Sequence, residues 1–149
     1  MPLKTGEQAP DFTLYDQHSN PFNLSATLQN GPVVLFFYPK DDSPGCTRQA
    51  CSFRDSYERL TEEGLTVAGI SRDNVDSHNS FKQKHELPYF LLADPDGSVH
   101  RMYDCLTLMG LLTRRITFFI SSDQKILLAH EDNFRMESHA DAILEYLNQ

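Results

Sequence analysis

Six consecutive apolar residues, Val33-Val34-Leu35-Phe36-Phe37-Tyr38, limit this chain more than anything else in it. They are β-branched or aromatic with one leucine among them, entered through Gly31-Pro32 and closed by Pro39. A strand with one wet face alternates between apolar and polar. A run without alternation reads as a strand covered on both faces, as in a parallel sheet between helices. Leu65-Thr66-Val67-Ala68-Gly69-Ile70 is a second such segment. Two strands of this kind need a substantial core, and 149 residues supply one. The chain 1–149 is therefore expected to fold as a single domain.

A helix is expected between the two strands. Ser43 is a good N-cap and Pro44 stands where proline is favoured, at the first helical position. Cys46, Ala50, Phe53, Tyr57 and Leu60 follow at helical spacing, and Gly64 is a natural stop. Upstream, Phe12 and Leu14 alternate with Thr13 and Tyr15, and Asn20-Pro21 makes a turn before a strand at Phe22-Asn23-Leu24. Downstream, residues 76–86 read as a helix ended by Pro88, then a strand from Tyr89 to Ala93 and a turn at Asp94-Pro95-Asp96-Gly97. Strands at Ile116–Ile120 and Lys125–Ala129 form a hairpin. The last helix carries Ala140, Ile143, Leu144 and Leu147 on one face, with Ser138 as N-cap. The order predicts an α/β layer fold with a mixed sheet. A cysteine helix placed directly after a central strand points to a thioredoxin-like arrangement, the central sheet flanked by helices.

Composition removes several classes of function. A net charge of −8 argues against a nucleic-acid binder, which needs a basic face. No stretch approaches the roughly 20 apolar residues of a membrane span, and Met1–Gly6 holds no apolar signal segment. Three cysteines are too few, and odd in number, for a secreted disulfide framework. The expectation is a cytoplasmic protein with reduced cysteines.

Cys46 falls at about the third helical residue, where the backbone N–H groups of the first turn lack intrahelical partners and favour negative charge. A thiolate suits that place. The rival reading is a small apolar core residue, since Cys46 also lies on the apolar stripe. Asp41 and Asp42 are expected to be solvated on a loop tip, where screening weakens their effect on the thiol. Cys51 sits five residues on, about 140° around the helix and about 8.6 Å away between α-carbons. A disulfide needs less than about 7 Å, so the pair cannot bridge unless the helix unwinds. Two readings stand: Cys51 is an incidental helix-flank residue, or the first turns melt in a redox cycle. The Cys-x4-Cys spacing is neither the Cys-x-x-Cys of a dithiol reductase nor half of a zinc site.

The segment Tyr38-Pro39-Lys40-Asp41-Asp42-Ser43-Pro44-Gly45-Cys46-Thr47-Arg48-Gln49-Ala50-Cys51 resembles the active-site segment of the peroxiredoxins, most of all the bacterioferritin comigratory protein or peroxiredoxin Q branch. Pro39, Ser43 and Cys46 match the family's Pro-x-x-x-(Thr/Ser)-x-x-Cys pattern. Gly6 to Phe12, Gly69-Ile70-Ser71, Leu92 to Gly97 and Arg115-Ile116-Thr117-Phe118 resemble further family segments in the same order. The resemblance implies a peroxidase that reduces hydrogen peroxide and alkyl hydroperoxides with no cofactor and no metal. It implies that Cys46 is the peroxidatic cysteine and Cys51 the resolving one, joined in an intramolecular disulfide that thioredoxin or a similar dithiol reduces. Arg115 would stabilise the thiolate and the leaving oxygen, Ser43 would position the peroxide, and Pro39 would shield the site. Ser43 has a competing role as a plain helix cap. Gln49 stands where many peroxiredoxins have Glu. The branch is usually monomeric, so a monomer is expected, with no membrane or nucleic-acid partner.

Other residues are less telling. Cys105 reads as a partly buried apolar residue, with resolution of Cys46 as its rival role. Leu106–Leu112 is an apolar segment that either packs into the core or forms a contact surface. The six histidines show no ligand spacing, and Asp94–Gly97 lacks the closing Glu of a calcium loop. Two other functions compete: a thiol-disulfide oxidoreductase of the same fold, and a peroxide-responsive redox sensor.

Overall fold

The computed structural model describes residues 3–107 and 109–149. The apolar run at residue 33 forms β3, Val33–Phe37, and each of its residues is buried. It pairs in parallel with β4, Thr66–Ser71, which pairs in parallel with β5, Phe90–Ala93. On its other side β3 pairs antiparallel with β8, Ile116–Ile120, and β8 continues into a hairpin with β9, Ile126–Glu131. β1, Thr13–Tyr15, and β2, Pro21–Asn23, complete the far edge. Among the described residues the sheet runs β2-β1-β5-β4-β3-β8-β9. It is the mixed sheet of a thioredoxin-like fold.

Strand alternation divides the interior into two cores. Val33, Leu35 and Phe37 join Phe118, Ile120 and Leu92 on one face, against Leu24 and Leu28 of α1, Leu24–Leu28, and Val99 of α5, Ser98–Met102. Val34, Phe36 and Tyr38 face the other way. They meet α2, Pro44–Asp55, α3, Tyr57–Glu62, α4, Val75–His85, and α6, Ser138–Leu147, through Ala50, Phe53, Leu60, Phe81 and Ile143. Phe36 stacks on Phe53 with ring centroids 4.4 Å apart. Its register partner Gly69 makes room, for a Cβ there would come within 2.7 Å of the Phe36 ring.

Local interactions moved several expected boundaries. Asn23 ends β2 and caps α1, its side chain accepting from the Ala26 N–H at 2.8 Å, so Leu24 begins a helix and does not extend the strand. The stripe from Cys46 to Leu60 spans two helices because the backbone at Ser56 (φ −97°, ψ 1°) leaves the helical region. Ser138 is the first residue of α6 and not its cap; its hydroxyl donates instead to the Arg135 carbonyl at 2.7 Å. The apolar segment after Cys105 contains two short paired strands, β6, Leu106–Thr107, and β7, Leu112–Thr113. It does not pack into the core, since Met109, Leu111 and Leu112 are exposed. Leu108 lies outside the described residues. No described helix is long and apolar enough to cross a membrane.

Candidate active site

The site forms where β3 ends and α2 begins. Cys46 is the third residue of α2 and is fully buried. Its sulfur accepts two hydrogen bonds, from Arg115 Nη1 at 3.2 Å and from the Lys40 backbone N–H at 3.4 Å. One donor is a fixed cation and the other a backbone dipole, both suited to a negatively charged sulfur. Arg115 precedes β8 and reaches across the strand end because odd-numbered residues there face the α2 layer. Even-numbered Arg114 turns away and forms a bidentate pair with Glu131 at 2.8 and 2.9 Å.

Several neighbours hold Arg115 in place. Its Nη1 also donates to Gln49 Oε1 at 2.8 Å, and its backbone N–H donates to Asn133 Oδ1 at 3.0 Å. Gln49 is fully buried and its Nε2 has no partner. With glutamine at position 49, the guanidinium meets a neutral acceptor there and not a carboxylate. Gly45 admits this approach: a Cβ on it would lie 3.0 Å from Arg115 Nη2 and 3.5 Å from Met136 Sδ.

The remaining expected residues take varied positions. Ser43 holds the N-cap place by backbone conformation but makes no side-chain cap bond; its hydroxyl donates to the Lys40 carbonyl at 3.0 Å. The hydroxyl oxygen retains acceptor capacity. Pro39 is exposed at the end of β3. Cys51 is half-buried in α2 and opens onto a hollow lined by Arg48, Asp55, Glu137 and Asp141. Both cysteines lie within one unbroken helix, which keeps their α-carbons about 8.6 Å apart. Cys105 is fully buried on the opposite face of the sheet, and burial pushes its thiol up strongly. Among the described residues no group of three or more His, Cys, Asp or Glu side chains could hold a metal ion.

The two aspartates of the loop differ from expectation and from each other. Asp42 is exposed and held below the usual carboxylate range by Lys84 and His85. Asp41 is buried, accepting from Tyr38 and Ser77 and facing His78. His78 lies 37 residues along the chain, and no local pattern ties the two together. Lys40, the second donor to the sulfur, acts through its backbone and so leaves no residue-type signal.

A family model for the AhpC/TSA family matches residues 5–129. This chain belongs to that family. A chloroplastic peroxiredoxin Q of Suaeda salsa is 42% identical over 146 residues, covering 97% of this chain and 68% of that protein. The solved structure of the peroxidoxin BcpB from Mycobacterium tuberculosis superposes with a TM-score of 0.92 at 40% identity, covering 98% of this chain and 97% of the other. The bacterioferritin comigratory protein of Xanthomonas campestris, solved in a study of its alkyl peroxide reduction activity, gives a TM-score of 0.83 at 28% identity, over 92% and 90% of the two chains. The chain is thus a peroxiredoxin, and its activity is that of a thiol peroxidase.

Proposed function

We propose that Cys46 is the peroxidatic cysteine of this peroxiredoxin and Cys51 its resolving partner, within a single domain spanning residues 1–149. The observation that carries the reading is the pair of donors, Arg115 Nη1 and the Lys40 N–H, aimed at one sulfur at the start of a helix. The Cys46 thiolate attacks the terminal oxygen of a peroxide. A new S–O bond forms, the O–O bond breaks, and the leaving oxygen takes a proton to depart as water or alcohol. Cys46 is left as a sulfenic acid. Arg115 stabilises the thiolate and then the charge that grows on the leaving oxygen. The Ser43 hydroxyl positions the peroxide through its free lone pairs, while Pro39 terminates β3 and shapes the loop.

The Cys51 sulfur next attacks the sulfenic sulfur of Cys46. An S–S bond forms and water leaves. The helix start must unwind for this step, because an intact α2 holds the two residues beyond disulfide reach. A dithiol of the thioredoxin kind then supplies two electrons by exchange and returns both thiols. Hydrogen peroxide and alkyl hydroperoxides are the substrates, the latter supported by the activity studied in the Xanthomonas relative. An intramolecular bridge asks for no second subunit, and a resting pair of free thiols suits the cytoplasm.

Peptide mapping of the peroxide-treated protein by mass spectrometry tests the assignment. A Cys46–Cys51 bridge is expected, together with loss of peroxide turnover by thioredoxin and its reductase in Cys46→Ser. A Cys46–Cys105 bridge, or full turnover by Cys46→Ser, would overturn it.

A further inference from the structure

The loop that delivers Cys46 is gripped from below by a buried polar cluster. Loops ordinarily keep carboxylates in water, yet Asp41 is 7% exposed. Its Oδ1 accepts from the Tyr38 hydroxyl at 2.5 Å, and its Oδ2 accepts from Ser77 Oγ at 2.8 Å and lies 2.7 Å from His78 Nδ1. His78 Nε2 in turn lies 3.0 Å from the Leu92 carbonyl, so the ring bridges the loop carboxylate to β5. Burial and then the Asp41 charge push the Tyr38 phenol well up, so it remains a donor. The Asp41 backbone N–H donates to Asp73 Oδ2 at 2.8 Å, and the same oxygen accepts from Ser71 Oγ at 2.6 Å. The loop is thereby fastened to the end of β4, to α4 and to β5.

None of these groups touches Cys46; they reach it through Lys40. The planar peptide between Lys40 and Asp41 is held at both ends. Its N–H is bound by Asp73, and its carbonyl accepts from Ser43. Only the φ and ψ of Lys40 separate that fixed plane from the Lys40 N–H on the sulfur.

We propose that Asp41, gripped by Tyr38, Ser77 and His78, is a positioning residue that sets how this peroxiredoxin divides its time between peroxide attack and disulfide formation. The inference rests on the roles given above to Cys46 and Cys51. The two steps ask opposite things of the loop. Attack needs the Lys40 N–H and Arg115 on the sulfur, which is the folded loop. Bridging needs the first turn of α2 unwound, which pulls against the Asp41 cluster. A grip that stabilises the folded loop raises the population competent for attack and lowers the population able to bridge. It also prolongs the sulfenic acid, which a second peroxide oxidises to sulfinic acid with loss of water or alcohol.

Single-turnover quenched-flow kinetics separate these effects. The reduced protein is mixed with hydrogen peroxide, peroxide loss is followed, and the Cys46–Cys51 bridge and sulfinic acid are counted by mass spectrometry after thiol trapping. Asp41→Asn is expected to speed bridging about tenfold, the lower range for a lost charged hydrogen bond, and to slow peroxide loss by a smaller factor, because the folded loop is already the resting state. Its sulfinic acid yield at excess peroxide should fall. Tyr38→Phe, nearly isosteric, should move both constants in the same directions, bridging by about threefold, as for a neutral hydrogen bond, and peroxide loss by less. A merely structural role would slow both steps together. Constants that fall together, or stay unchanged, in both variants would overturn the proposal while leaving the cysteine assignment intact. Absence of any Cys46–Cys51 bridge in the unaltered protein would overturn both.

Discussion

Cys46 and Cys105 lie on opposite faces of the same sheet, and both are fully buried. The Cys46 sulfur accepts from a guanidinium and a backbone N–H. The Cys105 sulfur only donates, to the Tyr103 carbonyl at 3.5 Å, and burial outweighs the attraction of Arg114, so its thiol is pushed up. The two arginines are sequence neighbours sent to opposite faces by the alternation of the strand they lead into. Arg115 keeps a hydrogen for sulfur; Arg114 spends its fork on Glu131. Burial alone therefore says nothing about whether a cysteine is reactive. What distinguishes the two is where donors point.

The strongest way to break this comparison is to remove the donor. Arg115→Ala should lower the second-order rate constant for hydrogen peroxide by about 10²–10³-fold, the size seen when one donor to a developing charge is removed. Arg114→Ala should change it no more than a few-fold. Stopped-flow competition for peroxide measures both, and equal losses in the two variants would show that proximity to the sulfur does not matter.

The Cys105 side is tested through stability. Cys105→Ser puts a hydroxyl where the structure offers one distant carbonyl and apolar neighbours. It should destabilise the fold by about 1–3 kcal/mol through poorly compensated burial of a polar group. Peroxide kinetics at low temperature should be unchanged. Urea unfolding monitored by circular dichroism reads the first and the competition assay the second. A large loss of turnover in a variant that remains folded would give Cys105 a part in the chemistry.

Much of this contrast was legible in the sequence because it rests on periodicity. The unbroken run at β3 and the cysteine at the start of α2 are consequences of strand and helical geometry, whereas Arg115 was singled out by the resemblance of Arg115-Ile116-Thr117-Phe118 to a family segment. Less legible was whatever depended on which partner a polar side chain would find. Ser43 and Ser138 have good N-cap chemistry, yet each hydroxyl donates to a nearby carbonyl. Asp41 was expected in water because nothing local shows that Tyr38, Ser77 and His78 converge beneath it. The five-residue α1 is too short to display a helical period. The break at Ser56 falls within an apolar stripe that continues through it.

A smaller effect sharpens the contrast from the Cys46 side alone. His139 is buried, its Nδ1 2.8 Å from the Thr117 hydroxyl and its Nε2 2.8 Å from the Asp132 carbonyl. Burial lowers its pKa from 6.5 to about 4. It is therefore neutral near pH 7: Nε2–H donates to Asp132 and Nδ1 accepts from Thr117. The Asp132 N–H in turn donates to the Arg115 carbonyl, and Asn133 accepts from the Arg115 N–H, so this histidine anchors the loop beside the guanidinium that donates to Cys46. Well above pH 6.5 both folded and unfolded states hold His139 neutral, and it makes stability no function of pH. As pH falls from 6.5 toward 4 the unfolded chain takes up a proton that the folded one refuses, and stability is lost through that window. Between pH 6.5 and 5.5 this group should cost about 1 kcal/mol. Denaturant unfolding across that range should show the loss in the unaltered protein and a slope flatter by about that amount in His139→Gln, whose amide can still donate toward Asp132 but cannot be protonated there. Identical slopes would mean that His139 takes up its proton equally in both states, and that the loop holding Arg115 does not depend on a neutral imidazole.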